Sequence, residues 1–272
     1  MEPTVPTATT ATTNGTGKGK KSQRPRAVKT QLQNAHFAIV LEAARTVTGI
    51  FNAHGLSCAV FGSLASKLYG CARCPKDVDL LVSQDPVYDT SSDSESSDST
   101  SGKRATLDAG QLKDLVLRSN SRNFYLKMPR DPSAEYRILW YRTRYQGPEC
   151  KVDILIPGTM HLPHLRPERV LVIDTIPVVP FSLLLYHKLQ GWDDHCQAEE
   201  PYKKQKQHQD AGDIRRLMAL KHLIEGLRQT KSQDEELFSE EFWALTVERV
   251  KRYCEIFQDR VEDWKLLGFE TS

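Results

Sequence analysis

The segment 60–82 constrains this 272-residue chain more than any other stretch. A short apolar strand is predicted over 57–61, the turn Gly62-Ser63 follows it, and 64–70 is predicted as a helix that ends at a glycine. Glycine lets the backbone approach a ligand closely, and the free amide groups at a helix start attract anions. This strand, turn and helix therefore predict a phosphate-binding turn.

An acid pair follows the turn. Asp77 and Asp79 lie two residues apart in an apolar run, so both carboxylates point to one face of a predicted strand. At a separation of roughly 4 Å and an effective dielectric constant of about 20, two such charges repel by about 4 kcal/mol. A divalent cation with oxygen ligands, most simply Mg²⁺, balances them and takes substrate phosphates as further ligands. The alternative is an edge strand with a solvated acidic face.

A third acid, Asp153, stands alone in the apolar run 151–156. Burial of an unpaired carboxylate is costly, so Asp153 needs a partner. That partner is the same metal site, or Lys151 or Arg144 in an ion pair. Alternatively, Asp153 is not buried and faces solvent at a sheet edge.

Together these residues resemble the signature of the nucleotidyltransferase superfamily of the DNA polymerase β type. The matching residues are Phe61, Gly62 and Ser63 and, after the thirteen residues 64–76, Asp77, Val78, Asp79 and Leu80. Asp153 fits the third acid of that family. The resemblance implies an enzyme that transfers a nucleoside monophosphate from a nucleoside triphosphate to an acceptor hydroxyl. It also implies that the three aspartates are catalytic and hold Mg²⁺, or Mn²⁺ in its place, while Gly62 and Ser63 bind the nucleotide.

A downstream segment resembles the AbiEii-like and minimal branches of that superfamily, in which a lysine on a helix precedes an Asp-x-x-Asp helix. Lys188 and the pair Asp210 and Asp213 stand at these positions. The resemblance implies that Lys188 and Asp210 are nucleotide-binding residues. Alternatively, Lys188 is a surface lysine, and the aspartates pair with Arg215 or Arg216 on their own helix.

The predicted fold is α+β, with a mixed β-sheet flanked by helices and a helical C-terminal part. We expect a disordered basic tail at 1–30, a nucleotidyltransferase-like domain at 31–228 with a disordered acidic, Ser-rich insert at 83–105, and a C-terminal helical appendage at 229–272. The tail carries a net charge of +5, so the rest of this +2 chain is at −3. The excess of basic residues is therefore confined to the tail. The rest of the chain shows no obvious stripe of basic residues that would bind RNA.

The sequence leaves the acceptor open among RNA (tRNA included), a small hydroxylated molecule and a protein side chain. A catalytically silent binding or adaptor protein of the same fold, associated with nucleic acid, is the alternative to an enzyme.

No apolar run reaches membrane-spanning length and no secretory signal is found, so we expect no membrane partner and an intracellular location, cytoplasmic or nuclear. The six cysteines are then expected to be thiols. Cys71 and Cys74 could form half of a zinc site with His195 and Cys196 as the other half, but one Cys-x-x-Cys pair is weak evidence for zinc.

Overall fold

The protein is represented by a computed structural model that describes residues 26–84, 106–129 and 136–271. Within these ranges, seven strands form one sheet. They are β1 (Ser57–Phe61), β2 (Asp77–Ser83), β3 (Phe124–Lys127), β4 (Ile138–Arg142), β5 (Glu149–Leu155), β6 (Leu171–Ile173) and β7 (Ile176–Val178). Their spatial order is β3-β4-β5-β2-β1-β7-β6.

The sheet is mixed, with β2 near its centre. β2 runs parallel to β5 and antiparallel to β1, and β7 runs parallel to β1. Parallel neighbours cannot be joined by a tight turn, so the chain needs a long connection between β2 and β5. Helix α3 (Ala109–Ser119) and the antiparallel pair β3–β4 lie in that connection.

Helix α1 (Arg26–Ala53) covers one face of the sheet. Its apolar positions recur at helical spacing, and Val40, Val47 and Phe51 are fully buried. On β2, Val78 and Leu80 point to the buried face, so the alternating Asp77 and Asp79 are left on the other, partly exposed face.

The remaining described helices are α2 (Gly62–Leu68), α4 (Phe181–Gln197), α5 (Pro201–Lys204), α6 (Gln207–Met218), α7 (Lys221–Glu235), α8 (Glu240–Ile256) and α9 (Val261–Leu266). Aromatic contacts join the C-terminal helices to α4. The rings of Trp192 and Tyr253 are 4.8 Å apart, and Tyr253 also contacts Trp264 of α9 at 6.1 Å between ring centres. One continuous hydrophobic core thus runs from the sheet into the helical part.

The observed architecture confirms the predicted α+β class. The sequence pattern did not indicate the hairpin β6–β7. It also did not indicate the break between α6 and α7 at Leu220, whose ψ of 72° is not helical, or the break between α8 and α9. Most of the predicted tail (1–25) and insert (85–105) lie outside the described residues, while Ser83 is a buried residue of β2. The predicted domain limits stay predictions.

None of the helices in the described part of the chain is long and apolar enough to cross a bilayer.

Candidate active site

The three predicted aspartates meet on the partly exposed face of the sheet. Asp79 on β2 is paired with Asp153 on β5, and Asp77 is paired with Lys151. Side chains of directly paired residues on neighbouring strands point to the same face and lie close together. We call Asp77, Asp79 and Asp153 the acid patch.

The first turn of α2, in which Gly62 and Ser63 directly follow β1, lies against this patch. Gly62 has a φ of +61°, in the left-handed region that glycine adopts readily. A Cβ added to it would lie 2.0 Å from Oδ2 of Asp79. The hydroxyl of Ser63 donates to Oδ1 of Asp77 at 3.3 Å. The Gly62-Ser63 turn therefore contacts both carboxylates of β2.

Within the acid patch, the pKa of the Asp79 carboxyl is shifted strongly upward. Burial, and after it the charges of Asp77 and Asp153, raise the pKa of the Asp79 carboxyl from 3.8 to about 7. The positive charges of Lys188 and Lys151 act in the opposite direction but do not compensate. The neighbouring lysines therefore do not offset the combined effect of burial and of the two other carboxylates on Asp79.

Asp153 already has a partner in this structure, because the ammonium group of Lys151 lies 2.6 Å from its Oδ2. The ion pair considered from the sequence is thus formed, with Lys151 and not Arg144. In the described ranges, no three His, Cys, Asp or Glu side chains are arranged to hold one metal ion. Within the acid patch, Asp153 is thus the aspartate that forms an ion pair.

A cationic cluster lies beside the acid patch and surrounds Asp213 of α6. The buried Asp213 carboxylate accepts from Nε and Nη2 of Arg73 at 2.8 and 2.6 Å, from Nζ of Lys188 at 3.3 Å and from Nη1 of Arg216 at 3.0 Å. Three cations against one carboxylate leave an excess of two positive charges. Since the charge of Lys188 also lowers the pKa of Asp79, this Asp213 cluster adjoins the acid patch.

We expect Asp213→Asn to lower the free energy of unfolding by about 2 kcal/mol, because it leaves three neighbouring cations without their counter-ion. A fully buried pair would lose more, but solvent reaches the cations here and screens them. Urea unfolding followed by circular dichroism measures the change. The control is Asp259→Asn, an exposed acid paired with Arg260, which should change stability by less than about 0.5 kcal/mol. Equal changes in both variants would contradict a central role for Asp213.

The structure separates the two aspartates of the Asp-x-x-Asp helix. Asp210 is hydrogen-bonded to Nδ1 of His195 at 2.6 Å, whereas Asp213 contacts both Lys188 and Arg216. Asp213 thus forms the ion pair with Arg216 that the sequence offered as the alternative to a site role. The nucleotide-binding roles of Lys188 and Asp210 stay predictions.

Sequence reasoning missed Arg73, which lies in the stretch 64–76 between the turn and the acid pair. The only indication of its role in the sequence was that it is a lone arginine in that stretch. It lies between Cys71 and Cys74, which were considered as zinc ligands. Among the described residues, the side chains considered for zinc do not come together in a group of three or more that could hold one ion.

Comparison with known proteins adds a fold similarity. No family model and no curated protein matches this chain. Among solved structures, it is similar to the crystal structure of an antigenic nucleotidyltransferase-like protein from Paracoccidioides brasiliensis. The two are 14% identical, with a TM-score of 0.45, and the match covers 73% of this chain and 91% of the other. A similarity of this size assigns no activity, substrate or metal to the present chain.

Proposed function

We propose that this protein is a nucleotidyltransferase that moves a nucleoside monophosphate from a nucleoside triphosphate to an acceptor hydroxyl and releases pyrophosphate. The observation that carries the proposal is the pairing of Asp79 with Asp153 across β2 and β5, with Asp77 beside them and Gly62 against Asp79. Four residues singled out by their spacing in the sequence are thereby brought to one face of the sheet. The narrower relation to the AbiEii-like branch depends on the motif at Lys188 and Asp210 alone.

In the proposed reaction the acceptor oxygen bonds to the α-phosphorus, and the bond from that phosphorus to the bridging oxygen of pyrophosphate breaks. Asp77 and Asp79 would hold Mg²⁺, which would polarise the phosphates and offset the charge of the leaving group. Such an ion commonly uses one or two carboxylates together with substrate phosphates, which suits these two aspartates. The acceptor proton passes to Asp153, whose release from Lys151 is a condition for that role.

The Asp213 cluster supports triphosphate as the substrate. Its excess positive charge lies next to the acid patch, where the β- and γ-phosphates would extend from the metal. Lys188 belongs to both regions, because it contacts Asp213 and acts on the pKa of Asp79. A positioned ammonium group offsets charge that develops on the leaving pyrophosphate.

A second candidate function is a binding protein of the same fold without catalysis. The specific observation in its favour is the ion pair between Lys151 and Asp153, which engages the third acid. If this pair persists when nucleotide binds, the protein would bind triphosphate and transfer nothing.

An assay of pyrophosphate release tests the proposal. Each of the four ribonucleoside triphosphates is supplied with Mg²⁺ and with an RNA, aminoglycoside or protein acceptor. We expect turnover with at least one acceptor class and a loss of about tenfold or more in Lys188→Gln. Lys265→Gln is the matched control, because Lys265 is an exposed lysine on α9 that pairs with Glu262. Binding of triphosphate without turnover for any acceptor would favour the silent binding protein.

A further inference from the structure

The sheet carries a second group of polar and aromatic side chains next to the acid patch, on the same face. Apart from Ile138 and Leu155, the residues of β3, β4 and β5 that alternate outward are aromatic or charged, and six of them lie beside the acid patch. They are Tyr125, Lys127, Trp140, Arg142, Glu149 and Lys151. We call them the aromatic–basic face. Cross-strand pairing joins Tyr125 to Trp140 and Trp140 to Lys151, and Lys151 is in turn paired with Asp77 of the acid patch. The face and the acid patch are therefore continuous.

Cations and rings alternate across this face. The ammonium group of Lys127 lies 3.9 Å from the ring centre of Trp140, and the guanidinium of Arg142 lies 4.4 Å from the ring of Tyr125 and 5.2 Å from that of Tyr145. Tyr145, in the turn after β4, is 76% exposed. Such contacts hold the rings and the charged groups in place without covering Tyr145.

Glu149 organises the centre of the face. Its carboxylate accepts hydrogen bonds from the hydroxyl of Tyr125 and from the ammonium group of Lys127. These two bonds fix side chains that would otherwise be mobile. Lys127 and Arg142, with the exposed Arg144 in the following turn, outnumber this single carboxylate, so the face keeps a net positive charge.

A cavity of about 1000 Å³ connects the face to the acid patch. Trp140 and Lys151 of the face line it together with Asp77 of the acid patch and with Lys29 and His36 of the N-terminal half of α1. A chain that lies on the aromatic–basic face thus has a path to the acid patch.

We propose that the aromatic–basic face binds the terminal nucleotides of a single-stranded nucleic acid and directs its terminal hydroxyl through this cavity to the acid patch. Bases stack on exposed aromatic rings and on guanidinium planes, and lysine and arginine neutralise the phosphates between them. The acceptor role rests on the proposed transferase function, whereas binding to the face does not.

Fluorescence anisotropy of a 5′-labelled, twelve-nucleotide single strand with the full chain in EDTA tests the binding. We expect its affinity to fall with salt, with a log–log slope of about −2 if roughly three phosphates are neutralised. Tyr145→Ala should weaken binding about tenfold through lost stacking, and Arg142→Glu by at least as much through charge reversal. Because Tyr145 is largely exposed, its truncation should leave the fold intact.

Two control variants, one for Tyr145→Ala and one for Arg142→Glu, show whether a loss of binding is specific to the aromatic–basic face. Tyr202→Ala removes another exposed tyrosine, on α5, and Arg228→Glu reverses another partly exposed arginine, on α7. Both should bind the single strand within about twofold of the wild type, since neither lies on the face. A duplex of the same sequence should bind at least about tenfold more weakly, because its bases are not free to stack.

The outcomes separate the two proposals. If Tyr145→Ala and Arg142→Glu bind the single strand as the wild type does, or if the duplex binds equally well, the proposal for the face is overturned. RNA and DNA strands are compared in parallel, and binding of either supports it. If these variants lose binding while no turnover is found with any acceptor, the face stands as a nucleic-acid site and the transferase assignment fails.

Discussion

Asp79→Asn is expected to abolish metal-dependent turnover and, at the same time, to stabilise the metal-free protein. The loss of turnover follows from removal of one of the two carboxylates that we propose as ligands of Mg²⁺. A metal ion contributes several kcal/mol to stabilisation of a phosphoryl-transfer transition state, and about 4 kcal/mol corresponds to roughly a thousandfold in rate. The same variant removes a carboxylate whose charged form is destabilised by burial and by Asp77 and Asp153.

The gain in stability has a defined pH window. The pKa of Asp79 is raised from 3.8 to about 7, so between these values the folded protein holds a proton that the unfolded chain has released. Stability therefore falls as the pH rises through this window, by up to about 4 kcal/mol, and stays low above it. Asparagine does not titrate. We expect Asp79→Asn to raise the Tm by roughly 5–10 °C at pH 8 and to change it little at pH 3.5.

Thermal unfolding in EDTA across pH 3.5–8, with pyrophosphate release in Mg²⁺, measures both effects. The control is Asp174→Asn at an exposed turn residue with a φ of 50°, a conformation that asparagine tolerates as well as aspartate. That variant should leave the Tm and the turnover unchanged at every pH. A lower Tm for Asp79→Asn at pH 8 would contradict the view that the acid patch lacks a cation.

Gly62→Ala is expected to lower the free energy of unfolding by about 2–4 kcal/mol and to remove nucleotide binding. Two costs combine at this position. A left-handed backbone costs an L-residue about 1 kcal/mol or more, and overpacking a tight site costs about 1–3 kcal/mol. The overpacking falls on one group, because the new Cβ would lie 2.0 Å from Oδ2 of Asp79. Relief of this clash must move either the turn or the carboxylate.

The matched control for this variant is Gly55→Ala. Gly55 has a φ of +71°, close to the +61° of Gly62, but an added Cβ there has no atom within 4 Å. Gly55→Ala therefore measures the backbone strain alone, about 1 kcal/mol, and should keep nucleotide binding. If urea unfolding shows the same loss of stability for both variants, Gly62 does not pack against the acid patch as described.

The parts of the site that the sequence predicted depend on local patterns. The alternation at Asp77 and Asp79 places two carboxylates on one face of any strand, and the run around Asp153 indicates a second strand of the same kind. That β5 lies beside β2 and not elsewhere in the sheet is not a local property, and it came from the resemblance. The fold class followed because the strand and helix patterns are strong over most of the described ranges.

The parts that the sequence did not predict depend on contacts between distant segments. Arg73 and Asp213 are 140 positions apart, and nothing in the Asp-x-x-Asp spacing indicates which aspartate contacts Lys188 and which contacts His195. The aromatic–basic face was missed for a similar reason. It takes alternate residues from three strands, so no stretch of the chain shows a basic or aromatic stripe. The hairpin β6–β7 consists of two strands of three residues, too short for a periodic signal.

The central claim is that the acid patch binds a nucleoside triphosphate through Mg²⁺. Isothermal titration tests it most directly: each of the four ribonucleoside triphosphates is titrated, with and without Mg²⁺, into the wild type and into the Asp77→Asn, Asp79→Asn double variant. We predict Mg²⁺-dependent binding of at least one triphosphate to the wild type and none to a folded double variant. Equal binding by both proteins, or no binding of any triphosphate by the folded wild type in Mg²⁺, would contradict the assignment of the acid patch as a nucleotide and metal site.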